Sequence, residues 1–205
     1  MKSGVVLAGG KGLRFGKDKA LIQFKGKPLV KWVMEVIDEV VDEIILSLPS
    51  DAEVFKFLEA VGSNIKIVKD TEPDLGPISG LLSSFREAKG EYVAVAPCDS
   101  PFIKPDLYKL IFGKADGHDG AVPFINNFWE PLHAVYKRET FIVALEKALS
   151  QGKNRPTDAY PYLDIQKVMQ KEVEAIDTQN LSFVNINTKE ELRKAAKILE
   201  NMKIG

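Results

Sequence analysis

Mostly apolar runs of strand length alternate with amphipathic segments along the first 118 residues of the chain. The apolar runs predict buried strands at residues 5–8, 44–48, 65–68 and 92–96. Between them, apolar residues recur at helical spacing and predict helices at residues 29–41, 52–61, 78–88 and 105–112. Because strands joined through helices lie parallel in one sheet, the alternation predicts an α/β fold with a single doubly wound, mostly parallel sheet flanked by helices.

The alternation changes after residue 118, where strands follow one another more closely. The pattern predicts strands at residues 120–125 and 132–136, a helix at 139–149 and a loop at 151–162. Thr188 with Glu191 three positions later forms a capping-box pattern, which predicts a last helix ending near Met202. No repeat, low-complexity segment or linker interrupts the chain, so we predict one domain over residues 1–205.

Composition and charge exclude several classes of function. Lys and Arg number 28 against 29 Asp and Glu, a net charge of −1, so the chain lacks the basic surface that attracts nucleic acids or anionic membranes. One cysteine, Cys98, and two histidines argue against disulfides within the chain and against cysteine- or histidine-rich metal centres. No apolar stretch approaches the roughly 20 residues that span a bilayer. We therefore expect a soluble, cytoplasmic protein without membrane or nucleic-acid partners.

A glycine-rich turn follows the first predicted strand, with the sequence LAGGKGLRFGKDK at residues 7–19. Parallel sheets bind ligands at the carboxyl ends of their strands, and glycines there let backbone N–H groups approach an anion. The turn also carries basic residues, which predict a cradle for a polyanion: Lys11, Arg14, Lys17 and Lys19. Its spacing matches neither a Walker A loop nor the dinucleotide fingerprint, which disfavours a dinucleotide-dependent oxidoreductase. A solvated turn without a ligand is the structural alternative.

Acidic residues follow two other predicted strands. Asp99 lies within PCDSP, just after the strand at 92–96, and beside a bound triphosphate its carboxylate would hold Mg²⁺; a turn cap is the alternative. Asp70 follows the strand at 65–68, ahead of a predicted helix N-terminus that favours negative charge; a surface acid is the alternative. For Cys98 and His133, apolar surroundings predict a buried thiol and a core or rim histidine.

Five segments together resemble the molybdenum cofactor guanylyltransferases (MobA), a family within the nucleotidyltransferase superfamily. They are the turn at 7–19, Asp70 with GPISG at 76–80, PCDSPF at 97–102, EPLHAVY at 130–136 and VNINTKEEL at 184–192. The resemblance extends from near residue 4 to near residue 195. It implies a Rossmann-like nucleotidyltransferase fold and transfer of GMP from GTP to the terminal phosphate of molybdopterin, with release of pyrophosphate and a requirement for Mg²⁺.

The resemblance also implies roles for individual residues. Nucleotide binding falls to Leu7, Ala8, Gly9, Gly10, Gly12, Lys19, Asp70 and Asp99, and catalysis to Asp99, Lys19 and Arg14, with Asp99 as the Mg²⁺ ligand. Asn185 and Asn187 match an asparagine pair near the acceptor, and as residues i and i+2 of a strand they would share a face. Hydrogen bonding into the Thr188 cap is the alternative for this pair. Residues 1–118 would form the nucleotide-binding half and residues 119–205 the acceptor-binding half.

Other functions stay open at this point. No physical feature of the sequence selects guanine, so the nearest alternative is a transferase that uses CTP with the molybdenum cofactor, or a sugar phosphate as acceptor. A noncatalytic carrier of nucleotide or cofactor is the alternative from another class. The expected partners are GTP and molybdopterin, and further partners would be other cofactor-biosynthesis proteins and molybdoenzyme targets.

Overall fold

The structure is a computed structural model that describes residues 1–9, 18–63, 65–71 and 77–202. Its strands are β1 (Lys2–Leu7), β2 (Gln23–Phe24), β3 (Lys27–Pro28), β4 (Glu43–Leu48), β5 (Lys66–Lys69), β6 (Tyr92–Pro97), β7 (Gly120–Ile125), β8 (Phe128–Trp129), β9 (Ala134–Lys137) and β10 (Ile165–Met169). Its α-helices are α1 (Leu29–Asp38), α2 (Val54–Val61), α3 (Pro77–Glu87), α4 (Pro105–Ala115), α5 (Arg138–Ser150), α6 (Gln170–Glu174) and α7 (Lys189–Met202). Short 3-10 helices lie at Lys19–Leu21, Pro156–Tyr162 and Leu181–Phe183. Within these described ranges, no helix has the length and apolar character needed to cross a bilayer.

One sheet of eight strands forms the centre of the described part of the protein. Its order is β10–β7–β9–β6–β1–β4–β5, and β8 pairs with β7 at the side of this path. The pairs β6–β9, β7–β9 and β7–β8 are antiparallel, and the other pairs in this sheet are parallel. The prediction of a mostly parallel sheet is therefore confirmed.

Helices cover both faces of this sheet. Helices α1, α2 and α4 pack on one face, where Val6 and Leu107 are fully buried. Helices α3 and α5 pack on the opposite face, where Val5 and Phe85 are fully buried. Because neighbouring residues of a strand point to opposite faces, a strand covered on both sides needs apolar residues at successive positions, which explains the apolar run in β1. The doubly wound arrangement is confirmed.

Several elements differ from the sequence-based prediction, among them the following four. Helix α1 ends at Asp38 rather than at residue 41, although Val40 and Val41 still pack against the core. The predicted loop at 151–162 contains the 3-10 helix at its end, and β10 and α6 were not predicted. Strand β10 lies at the edge of the sheet with Val168 as its one buried residue, so it lacks the apolar run that marks the central strands.

A small apolar cluster attaches α7 to the rest of the molecule. Its buried members are Phe24, Leu29, Phe102, Ile186 and Ala195. The backbone N–H of Glu191 donates to Thr188 Oγ1 at 3.1 Å, which confirms Thr188 as the cap of α7. The Glu191 carboxylate in turn accepts the backbone N–H of Asn187 at 2.6 Å. These two hydrogen bonds fix the segment that leads into α7 to the first turn of the helix.

Candidate active site

The carboxyl ends of β6, β1 and β4 lie side by side. Leu7 pairs with Pro97 on one side and with Ser47 on the other. The ladder continues one residue further, because Ala8 N–H donates to the Ser47 carbonyl at 2.9 Å and Cys98 N–H donates to the Leu7 carbonyl at 3.0 Å. The chain passes from β1 to β4 and β5 on one side, and then to β6 on the other, so the strand order reverses between β1 and β6. Open α/β sheets bind ligands at such a reversal.

Three residues from distant parts of the chain meet at this reversal. The Lys19 ammonium forms an ion pair with Asp99 Oδ2. The same ammonium donates a hydrogen bond to Asn187 Oδ1 at 2.5 Å. The side chains of Lys19 and Asp99 are 12% and 15% exposed, so water screens their attraction less than at an open surface. The structure therefore brings together three of the residues that the sequence singled out.

The second oxygen of Asp99 is the feature that fits a metal ion. Asp99 Oδ1 is buried and has no hydrogen-bond partner among the residues that the structure describes. A buried carboxylate oxygen without a partner is costly, and a hard cation such as Mg²⁺ would satisfy it. The described ranges hold no cluster of three acidic, histidine or cysteine side chains that could bind a metal on their own. Asp99 would therefore share the ion with phosphate oxygens and water, which is the usual Mg²⁺ environment at a nucleotide.

Asn185 and Asn187 are arranged as predicted, although no strand forms there. Both are exposed, and Ile186 between them is fully buried, so the two side chains share one face. Ile186 N–H donates to the Asp99 carbonyl at 2.9 Å, which fixes the segment beside Asp99. The Asn185 side chain accepts a hydrogen bond from Ser100 Oγ at 2.5 Å. Both asparagine side chains thus contact the site rather than the Thr188 cap.

Asp70 lies at the same edge of the sheet, at the end of β5. Its backbone N–H donates to the Leu48 carbonyl at 2.8 Å, which extends the β4–β5 pairing by one residue. The Ser79 hydroxyl, in the first turn of α3, donates to Asp70 Oδ1. Asp70 is therefore positioned between a strand end and a helix N-terminus, two strands away from β1.

The remaining predicted nucleotide-binding residues lie in or beside the glycine-rich turn. Leu7 and Ala8 are buried, and Gly9 is exposed directly after them. Gly10, Gly12 and Arg14 lie outside the described residues. The described part of the turn thus leaves the sheet beside Asp99.

Two residues near Asp99 were interpreted from sequence as core residues, and the structure agrees. Burial and the neighbouring negative charge of Asp99 raise the pKa of Cys98 to about 12, which disfavours the thiolate that a nucleophilic cysteine requires. His133 is 2% exposed, and its Nε2 lies 3.1 Å from Ser100 Oγ. Ser100 itself was not singled out, although its position directly after Asp99 in PCDSP is the signal that could have identified it.

A buried carboxylate anchors the turn that leads to the asparagine pair. Asp177 is 1% exposed, accepts the backbone N–H of Ser182 at 2.8 Å and lies 3.4 Å from the Lys104 ammonium. Burial by itself would raise the pKa of Asp177, but the hydrogen bonds from Ser182 and the charge of Lys104 outweigh it and lower the pKa. The ionised form of Asp177 therefore stabilises the fold.

We expect Asp177→Asn to lower the free energy of unfolding by about 2 kcal/mol at pH 7, because hydrogen bonds to a charged acceptor are among the stronger ones. A lowered pKa contributes stability above the unfolded-state pKa near 4 and loses it as the pH falls through the folded-state value. Urea unfolding of both proteins at pH 7 and at pH 3 measures this. If the free energies of unfolding of the two proteins differed as much at pH 3 as at pH 7, the ionic role of Asp177 would be contradicted.

Nucleotides bind many open α/β sheets at a reversal in strand order, and the Lys19–Asp99 pair lies at that point of this sheet. The family model described as "MobA-like NTP transferase domain" matches residues 4–163. This match covers most of the chain, and the protein belongs to this family of nucleotidyltransferases. The resemblance inferred from the motifs is confirmed.

The relatives of this chain have a more particular name. A Methanosarcina acetivorans protein named "Probable molybdenum cofactor guanylyltransferase" is 36% identical over 199 residues, which cover 93% of this chain and 88% of the relative. The "Molybdenum cofactor guanylyltransferase" of Desulfosudis oleivorans is 33% identical, covering 94% of this chain and 93% of the relative. The crystal structure of molybdopterin-guanine dinucleotide biosynthesis protein A from Archaeoglobus fulgidus matches with a TM-score of 0.79 and 27% identity, covering 98% of this chain and all of that one.

Proposed function

We propose that this protein transfers GMP from GTP to the terminal phosphate of molybdopterin and releases pyrophosphate. The observation that carries the proposal is the Lys19–Asp99–Asn187 contact at the reversal of strand order, with one Asp99 oxygen buried and unpartnered among the described residues. The names of the relatives support guanine as the base and the molybdenum cofactor as the acceptor. Within this proposal, residues 1–118 bind the nucleotide and residues 119–205 bind the acceptor.

The reaction we propose is an in-line attack by an acceptor phosphate oxygen on the α-phosphorus of GTP. A phosphate monoester is ionised near neutral pH, so the attacking oxygen needs no general base. Such a transfer depends mainly on positioning and charge neutralisation. Asp99 would hold Mg²⁺, and a magnesium ion there supplies neutralisation of charge on the α-phosphate.

The residues of the chain supply the rest of the chemistry. The Lys19 ammonium, together with Arg14, offsets the negative charge that develops on the departing pyrophosphate. Leu7, Ala8 and Gly9 support the nucleotide at the end of β1. The Asn185 and Asn187 side chains, which bond Ser100 and Lys19 respectively, contact the acceptor.

The first experiment is Mg²⁺-dependent release of pyrophosphate from GTP, CTP, ATP and UTP, each with and without molybdopterin. We expect release from GTP alone, and only when the acceptor is present, with no release when EDTA removes the metal. Release from CTP instead would keep the reaction class and overturn the choice of guanine. If none of the four nucleotides gave pyrophosphate release, the result would favour a noncatalytic carrier and overturn the proposed catalysis.

A further inference from the structure

Two buried residues beside the site, Ser100 and His133, have no part in the mechanism above. Ser100 Oγ donates to Asn185 Oδ1 at 2.5 Å and lies 3.1 Å from His133 Nε2. Ser100 is fully buried and His133 is 2% exposed. The Phe183 and His133 rings pack in an edge-to-face arrangement, with centroids 5.1 Å apart. Burying a polar side chain lowers the stability of the fold unless the side chain forms hydrogen bonds. Packing alone therefore does not explain why Ser100 and His133 are buried here.

The direction of each hydrogen bond follows from which atoms carry hydrogens. A carboxamide oxygen only accepts, so the one hydroxyl hydrogen of Ser100 is used in donating to Asn185. Ser100 Oγ can then only accept from His133, which requires a hydrogen on His133 Nε2. Burial lowers the pKa of His133 to about 4 and outweighs the opposing effect of the Ser182 backbone, so the ring is neutral at pH 7. Nδ1 is buried without a hydrogen-bond partner among the described residues, which is consistent with a single N–H at Nε2. Glu130 Oε2 lies 3.9 Å from His133 Nδ1, which is too far for a hydrogen bond.

These hydrogen bonds determine which atoms of the Asn185 carboxamide remain available to a ligand. Its oxygen is occupied by Ser100, and its two N–H donors have no partner among the described residues. Asn187 repeats the arrangement, because its oxygen accepts from Lys19. Both exposed carboxamides are thus held by their oxygens, which leaves N–H donors for an anion. A carboxamide turned by 180° would present its oxygen instead and would repel a phosphate.

We propose that Ser100 and His133 are positioning residues that hold the Asn185 carboxamide with its N–H donors toward the phosphate of the acceptor. His133 orients the Ser100 hydroxyl, and the hydroxyl orients Asn185. This inference rests on the proposed function, since it takes the acceptor phosphate as the anion. In this arrangement Ser100 and His133 contribute to selectivity for a phosphate-bearing acceptor through Asn185, without contacting the acceptor themselves.

The kinetic test uses variants that break or keep each bond. Ser100→Ala removes the donor to Asn185, and we expect the KM for molybdopterin to rise about 10-fold, the value of one hydrogen bond, with the KM for GTP unchanged. His133→Phe removes the N–H donor but keeps a ring, and we expect a smaller rise of the same kind. His133→Gln keeps an N–H donor and should restore most of the acceptor affinity. The matched controls are Ser150→Ala, at an exposed residue of α5, and His118→Gln, at a half-buried residue before β7 that contacts Asp164 rather than the site.

A second measurement separates this inference from the proposed function. The chain has two histidines, so ¹⁵N-histidine NMR of the His118→Gln variant reports His133 alone. We expect the neutral Nε2–H tautomer at pH 7, and a shifted Nε2 resonance when Ser100→Ala is added. Equilibrium binding of molybdopterin without nucleotide, compared between wild type and Ser100→Ala, tests the acceptor contact without turnover.

The outcomes are distinct. An Nδ1–H tautomer, or a Ser100→Ala variant with unchanged acceptor binding and KM, would overturn the positioning role. A rise in the GTP KM equal to that for molybdopterin would also overturn it, because it would indicate general damage to the site. Wild type without pyrophosphate release would overturn the proposed function, and weaker molybdopterin binding by Ser100→Ala would still support the positioning role.

Discussion

Replacing Asp99 with asparagine is expected to reduce the rate of pyrophosphate release by more than about 10³-fold while the protein stays folded. Asparagine has nearly the same shape, but it carries no charge to bind a cation or to pair with Lys19. It also turns one buried oxygen position into either a neutral oxygen or an N–H donor, neither of which suits Mg²⁺. Initial rates over a range of Mg²⁺ concentrations measure both the loss of turnover and the loss of metal affinity.

The control for Asp99→Asn is Asp106→Asn on α4. Asp106 is exposed and pairs with Lys109 at 2.8 Å, so this change alters the net charge equally at a distant place. It should leave turnover within a factor of about two, since a surface ion pair contributes little. Thermal unfolding of both variants should stay close to wild type. Near-normal turnover by Asp99→Asn would contradict a metal-binding role.

Replacing Lys19 with methionine is expected to lower kcat/KM by about 10²-fold or more, the usual effect of losing one preorganised charge contact. Methionine keeps much of the length and apolar character of the lysine stem, so the change isolates the ammonium. That ammonium joins Asp99 to Asn187, and its removal therefore affects both the nucleotide and the acceptor sides of the site. Measuring kcat/KM for each substrate, with the other saturating, shows whether both sides respond.

Lys25→Met is the matched control for this prediction. Lys25 lies in the same part of the chain and pairs with Glu200 at the surface, with side chains 36% and 59% exposed. It should have kcat/KM values close to wild type for both substrates. If Lys19→Met lowered kcat/KM by less than about threefold, Lys19 would have only a structural role in its ion pair with Asp99.

The positions of Lys19 and Asp99 could be predicted from sequence because they depend on strand ends. Apolar runs identify buried strands, and the carboxyl ends of parallel strands meet at one edge of a sheet. Asp99 and the turn that leads to Lys19 both follow such runs, so their placement at one edge of the sheet follows from the alternation, whereas the Lys19–Asp99 ion pair itself was not predicted. The parallel pairing of β1 with β6 is the observation that confirms this step.

The contact of Asn187 with Lys19 could not be derived in the same way. No strand forms at residues 184–188, and the segment is held in place by the burial of Ile186 in the cluster around α7. That cluster joins Phe24 and Phe102 to residues far along the chain, and no local pattern encodes which distant surfaces pack together. The hydrogen bond between Ser100 and His133 was missed for the same reason, since the two residues lie 33 positions apart.

The joining of Lys19 and Asp99 to Asn187 has a consequence for the protein as it leaves the ribosome. The amino-terminal strands β1, β4, β5 and β6 are synthesised first, and the partners of the ion pair are 80 positions apart. Asn187 is 168 positions beyond Lys19, so a nascent chain can assemble much of the sheet and still lack the last contact of the site. The three-residue contact is therefore complete only once the chain has been made beyond residue 187, and a fragment that stops before Asn187 lacks it.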